Sequence, residues 1–468
     1  MKRLLSVVIA TVALLALVAC GGGGSSSTTT TTNASSAPIT VNVGDAQADR
    51  LVAFEVTVNS VTLTGSAGTT ANLLAAPTKI ELTHLSGKFE PLRIMSVPAG
   101  SYTGATIQLG SAEAVIIGAA GTAQAGAVVK VQNITPNPAS VTITFPAITV
   151  GTTASVLNFD FNLGTSVTVT GNSVTFAPSA SAVTVVTAAA GQNENEQEDE
   201  DGELEDIHGT VAQVNSSSFV LNVGGSTSQQ LTFNVDATTQ FSDGITAFSG
   251  LKAGMVVKVE GITKSDGSLL AKEVEGVEVE NGLEAEGIIT ATNLTAGVGT
   301  ITVVVHDASS AAAAASQPSA DDTITVNIAA NTQFKVDFGQ GKTKTSDPGL
   351  AFDGTHLGKG QKVEADDDIA EKSNLTQVKK LRLKKQALVG TVSNAGANGF
   401  TLTLDSANSF FTQLTGESVI QVKTTSATIN KNGTPANGST IRVRGLLFFD
   451  PAQPTGSKYT MAAGRTDH

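Results

Sequence analysis

Side chains able to do chemistry are sparse in this 468-residue chain. Cys20 is the single cysteine, and so the only thiol nucleophile. Gly-Lys pairs at 87–88, 341–342 and 358–359 would suit a phosphate-cradling loop, but that loop also needs a glycine five residues before the paired one. Leu82, Val336 and Asp353 stand there instead. Ser249-Gly250-Leu251-Lys252 has the spacing at which a lysine activates a serine. Its companion Ser-Asp-Asn and Lys-Thr-Gly motifs are absent, and the stretch reads as a turn before a strand. No Gly-x-Ser-x-Gly elbow occurs. No two of His84, His208, His306, His356 and His468 share a metal-ligand spacing, so each reads as a surface or loop histidine. Asp199-Glu200-Asp201-Gly202 resembles a fragment of a calcium loop without its ligand spacing or closing bidentate glutamate. Asp199 and Asp201 are therefore weak metal candidates, and a solvated linker is expected around them. In Lys379-Lys380-Leu381-Arg382-Leu383-Lys384-Lys385, alternation puts the leucines on one face and cations on the other. That is expected to be a solvated strand face rather than a polyanion site. No catalytic residue, metal or cofactor is expected, and the chain does not read as an enzyme.

Cys20 draws its meaning from what precedes it. Lys2 and Arg3 form a positive start, and Leu4 to Leu17 an apolar run too short to span a bilayer. Residues 1–19 thus read as a secretory signal peptide. Leu17-Val18-Ala19-Cys20 resembles the lipobox of bacterial lipoproteins. The resemblance implies a diacylglyceryl group on the Cys20 sulfur, cleavage before it, and acylation of the new amine. Several acyl chains are needed because one gives only marginal membrane binding, at ~0.8 kcal/mol per buried CH₂. Gly21, rather than aspartate, follows the cysteine, which by resemblance to Gram-negative sorting rules implies the outer membrane.

Residues 20–37, rich in Gly, Ser and Thr, have nothing to bury and read as a flexible tether. With Cys20 as the sole cysteine, no disulfide can form within the chain, so stability must come from packed cores. Net charge is −13. It is uneven: residues 194–206 carry nine acids and no base. Nucleic acid is therefore not expected as a partner. Trp is absent and Tyr occurs twice, so the stacking platforms of single-strand and sugar binders are missing.

The elements are strands. Phe54, Val56 and Val58 alternate with polar residues, and Val61 and Leu63 resume one residue out of phase. The slip predicts a β-bulge near Asn59-Ser60. Strand-like runs follow at Lys79–Thr83, Thr103–Leu109, Val128–Gln132, Val141–Thr144, Val156–Asn162, Ser166–Thr170 and Ala182–Thr187. Many short strands at regular spacing predict an antiparallel β-sandwich over 38–190, with Tyr102 as a packing residue. Residues 191–206 read as an acidic linker whose one apolar residue, Leu204, cannot join either flanking core.

Beyond it the chain repeats. Gly209-Thr210-Val211 returns as Gly287-Ile288-Ile289 and Gly390-Thr391-Val392. Thr239-Gln240-Phe241 returns as Thr332-Gln333-Phe334, with a weaker counterpart near Thr428. Leu251-x-x-Gly254-x-x-Val257 returns at Leu357, Gly360 and Val363, and again at Pro435, Gly438 and Ile441. The unequal spacing implies insertions in the middle copy, at 311–315 and 337–348. Each copy reads as about five strands closed into a small barrel, with Val257 and Val259, Val363 and Ala365, and Ile441 and Val443 pointing inward. The copies run 207–282, 283–384 and 385–468. The class is all-β: a sandwich followed by three barrels, each half expected to be a separate cooperative unit.

Val41-Asn42-Val43-Gly44-Asp45-Ala46, Val58-Asn59-Ser60-Val61 and Pro98-Ala99-Gly100-Ser101-Tyr102 resemble domain of unknown function 4382, found on bacterial lipoproteins. Gln47 stands where that family more often has proline. The repeats resemble domain of unknown function 5666, a family of OB-like small barrels often found in tandem, most strongly in the first copy. Neither resemblance implies an activity. The expected function is a lipid-anchored envelope surface protein with a structural, display or adhesion role. A carbohydrate- or envelope-polymer-binding module, and an accessory subunit of an envelope enzyme, are the alternatives. Its expected partners are the membrane, through Cys20, and an envelope polymer or protein.

Overall fold

Strands of alternating apolar residues pair into two large sheets and a hairpin, Val167–Thr170 with Ser173–Phe176, over the first part of the chain and three barrels over the rest. The computed structural model describes residues 36–467 except 47–48, 67, 75, 86–88, 151–154, 180–182, 188–202, 224–229, 265–267, 278–282, 311–317, 337–349, 368–373, 377 and 407. Cys20, the leader, nearly all of the tether, Asp199, Asp201 and both insertions of the middle repeat lie outside the described residues.

In the sandwich, one sheet pairs Leu51–Gly65 with Gly100–Ile117, and shorter strands flank each. The register shifts between Val58 and Ser60, which is the bulge read from the phase slip. The other sheet runs in the order Val183–Thr187, Ser155–Asn162, Ser36–Ala46 and Phe89–Pro98. Its central pair, Ser36–Ala46 with Ser155–Asn162, is parallel, so the sandwich is not wholly antiparallel. Phe54, Tyr102, Ile107, Phe159 and Phe176 fill the space between the sheets. The buried Tyr102 hydroxyl donates to the Pro98 carbonyl at 2.8 Å, so the packing residue also closes the turn that precedes it.

The first barrel comprises Glu203–Val214, Ser218–Val223, Gln230–Asn234, Val256–Thr263 and Leu269–Gly276. Pairing of its third strand with its fifth closes the ring. Lys385–Gly396, Gly399–Leu404, Val419–Lys423, Thr440–Phe449 and Tyr459–Asp467 form the third barrel, closed in the same way. In the middle barrel, the fifth strand is split into Asn374–Leu375 and Val378–Leu383, and the first piece makes the closing pair. All three pairs of residues expected to point inward from the fourth strands are buried.

The repeat motifs have a common structural reason. Gly254, Gly360 and Gly438 have φ of +90°, +84° and +87°, a region that side chains strain to enter. Each donates its N–H to a first-strand carbonyl, of Val211, Ile289 and Val392 respectively. Thr239, Thr332 and Thr428 each donate a hydroxyl hydrogen bond to the last strand, to the carbonyls of Ala271, Val378 and Ala463. Thr428 is thus a full counterpart of the other two.

Two expectations need correction. The first barrel begins at Glu203, and Leu204 is fully buried in its core, so the acidic segment does contribute a core residue. The sandwich and barrels also share an apolar cluster. Val52, Ala53, Val115 and Ile117 of the sandwich pack with Ile288 and Val304 of the middle barrel and Phe410, Phe411 and Leu447 of the third. The described residues form one compact unit.

Candidate functional site

The strongest concentration of titratable groups lies where the first barrel covers the second. Alternation on the middle barrel points Val363, Ala365, Leu381 and Leu383 into its core. The same alternation aims Glu364, Asp366, Lys380 and Arg382 outward. Their strands pair so that Glu364 lies opposite Arg382, Asp366 opposite Lys380, and Glu284 opposite Asp366. The outer face is therefore a checkerboard of charge. Asp243, Lys258 and Glu275 of the first barrel meet it.

Lys258 is 2% exposed. Its Nζ lies 2.6 Å from Glu275 Oε2, 2.9 Å from Glu364 Oε2 and 3.3 Å from Glu284 Oε1. Arg382 Nη1 reaches Glu275 at 2.7 Å and Glu364 at 3.0 Å, and its Nη2 pairs with Asp243. Lys380 bridges Asp243 at 2.8 Å and Asp366 at 3.1 Å. Farther along, Lys362 meets Glu286 at 2.5 Å, and Lys384 lies 3.5 Å from Glu364. The solvated-face expectation for 379–385 is thus overturned at Lys380, Arg382 and Lys384, because a second barrel lies over that face. The predicted alternation itself holds.

Burial and the adjacent Glu364 carboxylate raise Glu284 well above the usual carboxylate range, which favours its neutral form. Burial opposes the charge of Lys258, but Glu364 and Glu284 outweigh it and hold the ammonium well above its ordinary range. Lys258, Lys362, Lys380, Arg382 and Lys384 thus meet the carboxyl groups of Asp243, Glu275, Glu284, Glu286, Glu364 and Asp366. Carboxylate oxygens of Glu284, Glu364 and Asp366 lie within 4.8 Å of one another, close enough to hold a metal ion. Lys258 already brings a cation to two of the three. A cleft along this seam is lined by Asp243, Glu275, Glu284, Asp366, Lys380 and Arg382.

A second cluster sits between the sandwich and the second and third barrels. Glu81 is 5% exposed. It accepts hydrogen bonds from the backbone N–H groups of Phe54 at 2.7 Å, Thr83 at 3.1 Å and His84 at 2.8 Å, and from the Thr83 hydroxyl. Burial opposes its ionisation, but His306, His84 and Thr83 outweigh that and hold it at about 2. His306 lies on Val298–Ser310, and its Nε2 is 2.6 Å from the Val52 carbonyl. Burial holds its pKa below the ordinary value.

Histidine readings divide accordingly. His84 and His356 sit in short 3-10 turns as expected. His306 is buried, and His208 lies on a strand 3.3 Å from Asp307 of the next barrel. Ser249 lies in the short 3-10 turn Phe248–Gly250 and Lys252 follows it, before the strand Val256–Thr263. The missed signal was the run of consecutive apolar residues. Leu51–Phe54, Ala114–Ile117 and Leu446–Phe449 break alternation because both faces are covered. Among the described residues, no helix is long and apolar enough to cross a membrane.

This architecture defines an all-β protein of one sandwich and three small barrels. Residues 36–178 match the family described as domain of unknown function DUF4382, and residues 208–275 match domain of unknown function DUF5666. The second match covers the first barrel, the copy in which the resemblance is strongest. No curated protein matches the chain. A multidomain protein with nucleic acid binding domains from Streptococcus pneumoniae is 13% identical, with 55% of this chain and 72% of that one covered and a TM-score of 0.12. A likeness that low carries no argument.

Proposed function

We propose that this is a lipid-anchored, non-enzymatic protein of the bacterial cell envelope with a structural, display or adhesion role. The observation that supports it is the seam between the first two barrels. Side chains best suited to acid–base or metal chemistry are engaged with one another there, and they join modules rather than face a substrate. The apolar cluster shared by sandwich and barrels supports the same reading, since it makes a firm multi-module body to hold away from a membrane. Cys20 would carry the anchor, at the end of the leader, in the outer membrane of a Gram-negative cell.

Labelled palmitate and membrane fractionation test this reading. The wild type is expected to take up label and partition with membranes. Cys20→Ser should do neither. Equal fractionation of the two, with no label in the wild type, would remove the anchor and the envelope role with it.

A further inference from the structure

We propose that the three-way seam of the sandwich, second barrel and third barrel binds one small oxyanion of the phosphate and sulfate class, together with a proton. A cleft opens there, lined by His84 of the sandwich, His306 and Lys362 of the second barrel, and Lys385, Gln386 and Arg444 of the third. Among the described residues no carboxylate lines it, although Glu286 lies 2.5 Å from Lys362 and Glu81 lies 3.0 Å from His84, whereas four line the cleft between the first two barrels. A chain of net charge −13 has thus gathered cations from two modules, and histidines from two, around one opening. It has room for about two waters, the size class of a small oxyanion.

His306 is the second observation. It is 5% exposed, its Nε2 faces the Val52 carbonyl at 2.6 Å, and its Nδ1 has no hydrogen-bond partner among the described residues. With Nε2–H donating to Val52, a neutral ring offers only a lone pair at Nδ1. On protonation, Nδ1 becomes a donor in a buried place, and a donor there needs an acceptor. An oxyanion supplies both the acceptor and the opposing charge. One proton moves from solvent to Nδ1, and no covalent bond changes.

The surrounding charges fit this coupling. Burial, Lys362 and His84 oppose a charge on His306, while Glu81 and Glu286 favour it. Lys385 and Arg444 add positive potential from the third barrel. Burial and Arg465 press Arg444 down to about 9, against the pull of Asp467. An anion opposite Arg444 would relieve that pressure. The supporting shell is rigid: Gln386 accepts from the Lys362 N–H at 2.7 Å and donates to the Gly360 carbonyl at 2.9 Å, fixing the second barrel against the third.

Calorimetry on the intact detergent-solubilised chain tests the site, with sodium sulfate and sodium phosphate at constant ionic strength and chloride as control. Sulfate does not titrate in this range, so it isolates the protein's proton. One saturable site per chain is expected, tightening by up to about tenfold per unit as pH falls from about 8 to 6. His306→Gln keeps a donor for Val52 and should abolish the pH dependence. Lys385→Gln should weaken binding about tenfold at both pH values. An adventitious ion only, seen as weak heat that neither variant alters, would overturn the proposal. So would the absence of saturable heat at low pH, or a pH-independent affinity in the wild type.

Discussion

Replacing Lys258 with Met tests the seam between the first two barrels most directly. The substitution keeps the length and apolar stem of the side chain and removes its charge. Two carboxylates, Glu275 and Glu364, lie 2.6 and 2.9 Å from the ammonium. At an effective dielectric constant of ~20, each such pair attracts by about 6 kcal/mol. Desolvation of the ions returns several kcal/mol apiece, so the intact pair stabilises far less than that sum. Removing one member leaves the carboxylates buried and uncompensated, and the expected loss is about 3–5 kcal/mol. Glu284→Gln is the matched control. Burial and Glu364 favour its neutral form in the fold, so the amide should change stability by less than about 1 kcal/mol. Urea unfolding followed by circular dichroism measures both, read in the transition that unfolds these barrels. A loss below about 1 kcal/mol for Lys258→Met, at unchanged slope, would refute the reasoning. Equal losses for the two variants would refute the upward shift of Glu284. The pH dependence gives a further check. A raised folded pKa means that the native state holds an extra proton above the unfolded value. Stability from this group is therefore full at low pH and falls as pH rises, by at most about 1.4 kcal/mol per unit. Glu284→Gln should flatten that fall.

Three further outcomes are expected. Glutamyl endopeptidase cutting within 194–200 should leave two products that co-elute under native conditions, because Val52, Ala53, Val115 and Ile117 remain packed against the barrels; products that separate would break the shared cluster. Gly360→Ala should lower the melting temperature more than Gly254→Ala. Both glycines have positive φ, but a Cβ at 360 would lie 2.4 Å from the Phe411 ring, whereas nothing lies within 4 Å at 254. Burial raises Asp321 to about 7 despite Lys130 at 2.6 Å, so its stability contribution declines as pH climbs from about 4 to 7. Asp321→Asn should remove that decline in a series of thermal melts, and asparagine tolerates the φ of +71° at this position.

Period-two alternation and turn chemistry are local properties, and the sequence carried them alone. The strands, the bulge at Val58–Ser60, the glycine of each Leu-x-x-Gly turn and the inward residues of every fourth strand were all legible. The triple barrel was legible from its repeats for the same reason: each copy satisfies its own hydrogen bonds through Thr239, Thr332 or Thr428. Only the tertiary structure decided what covers the outer faces. Alternation states that Lys380 and Arg382 point away from their own core, but not whether water or a neighbouring barrel lies beyond. Burial of both faces leaves a faint mark, a run without alternation such as Ala114–Ile117. That run shows that a partner exists without naming it. His306 had no sequence signal at all. Its burial, its contact with the Val52 carbonyl and its place beside Arg444 arise because three modules, far apart along the chain, converge on one seam.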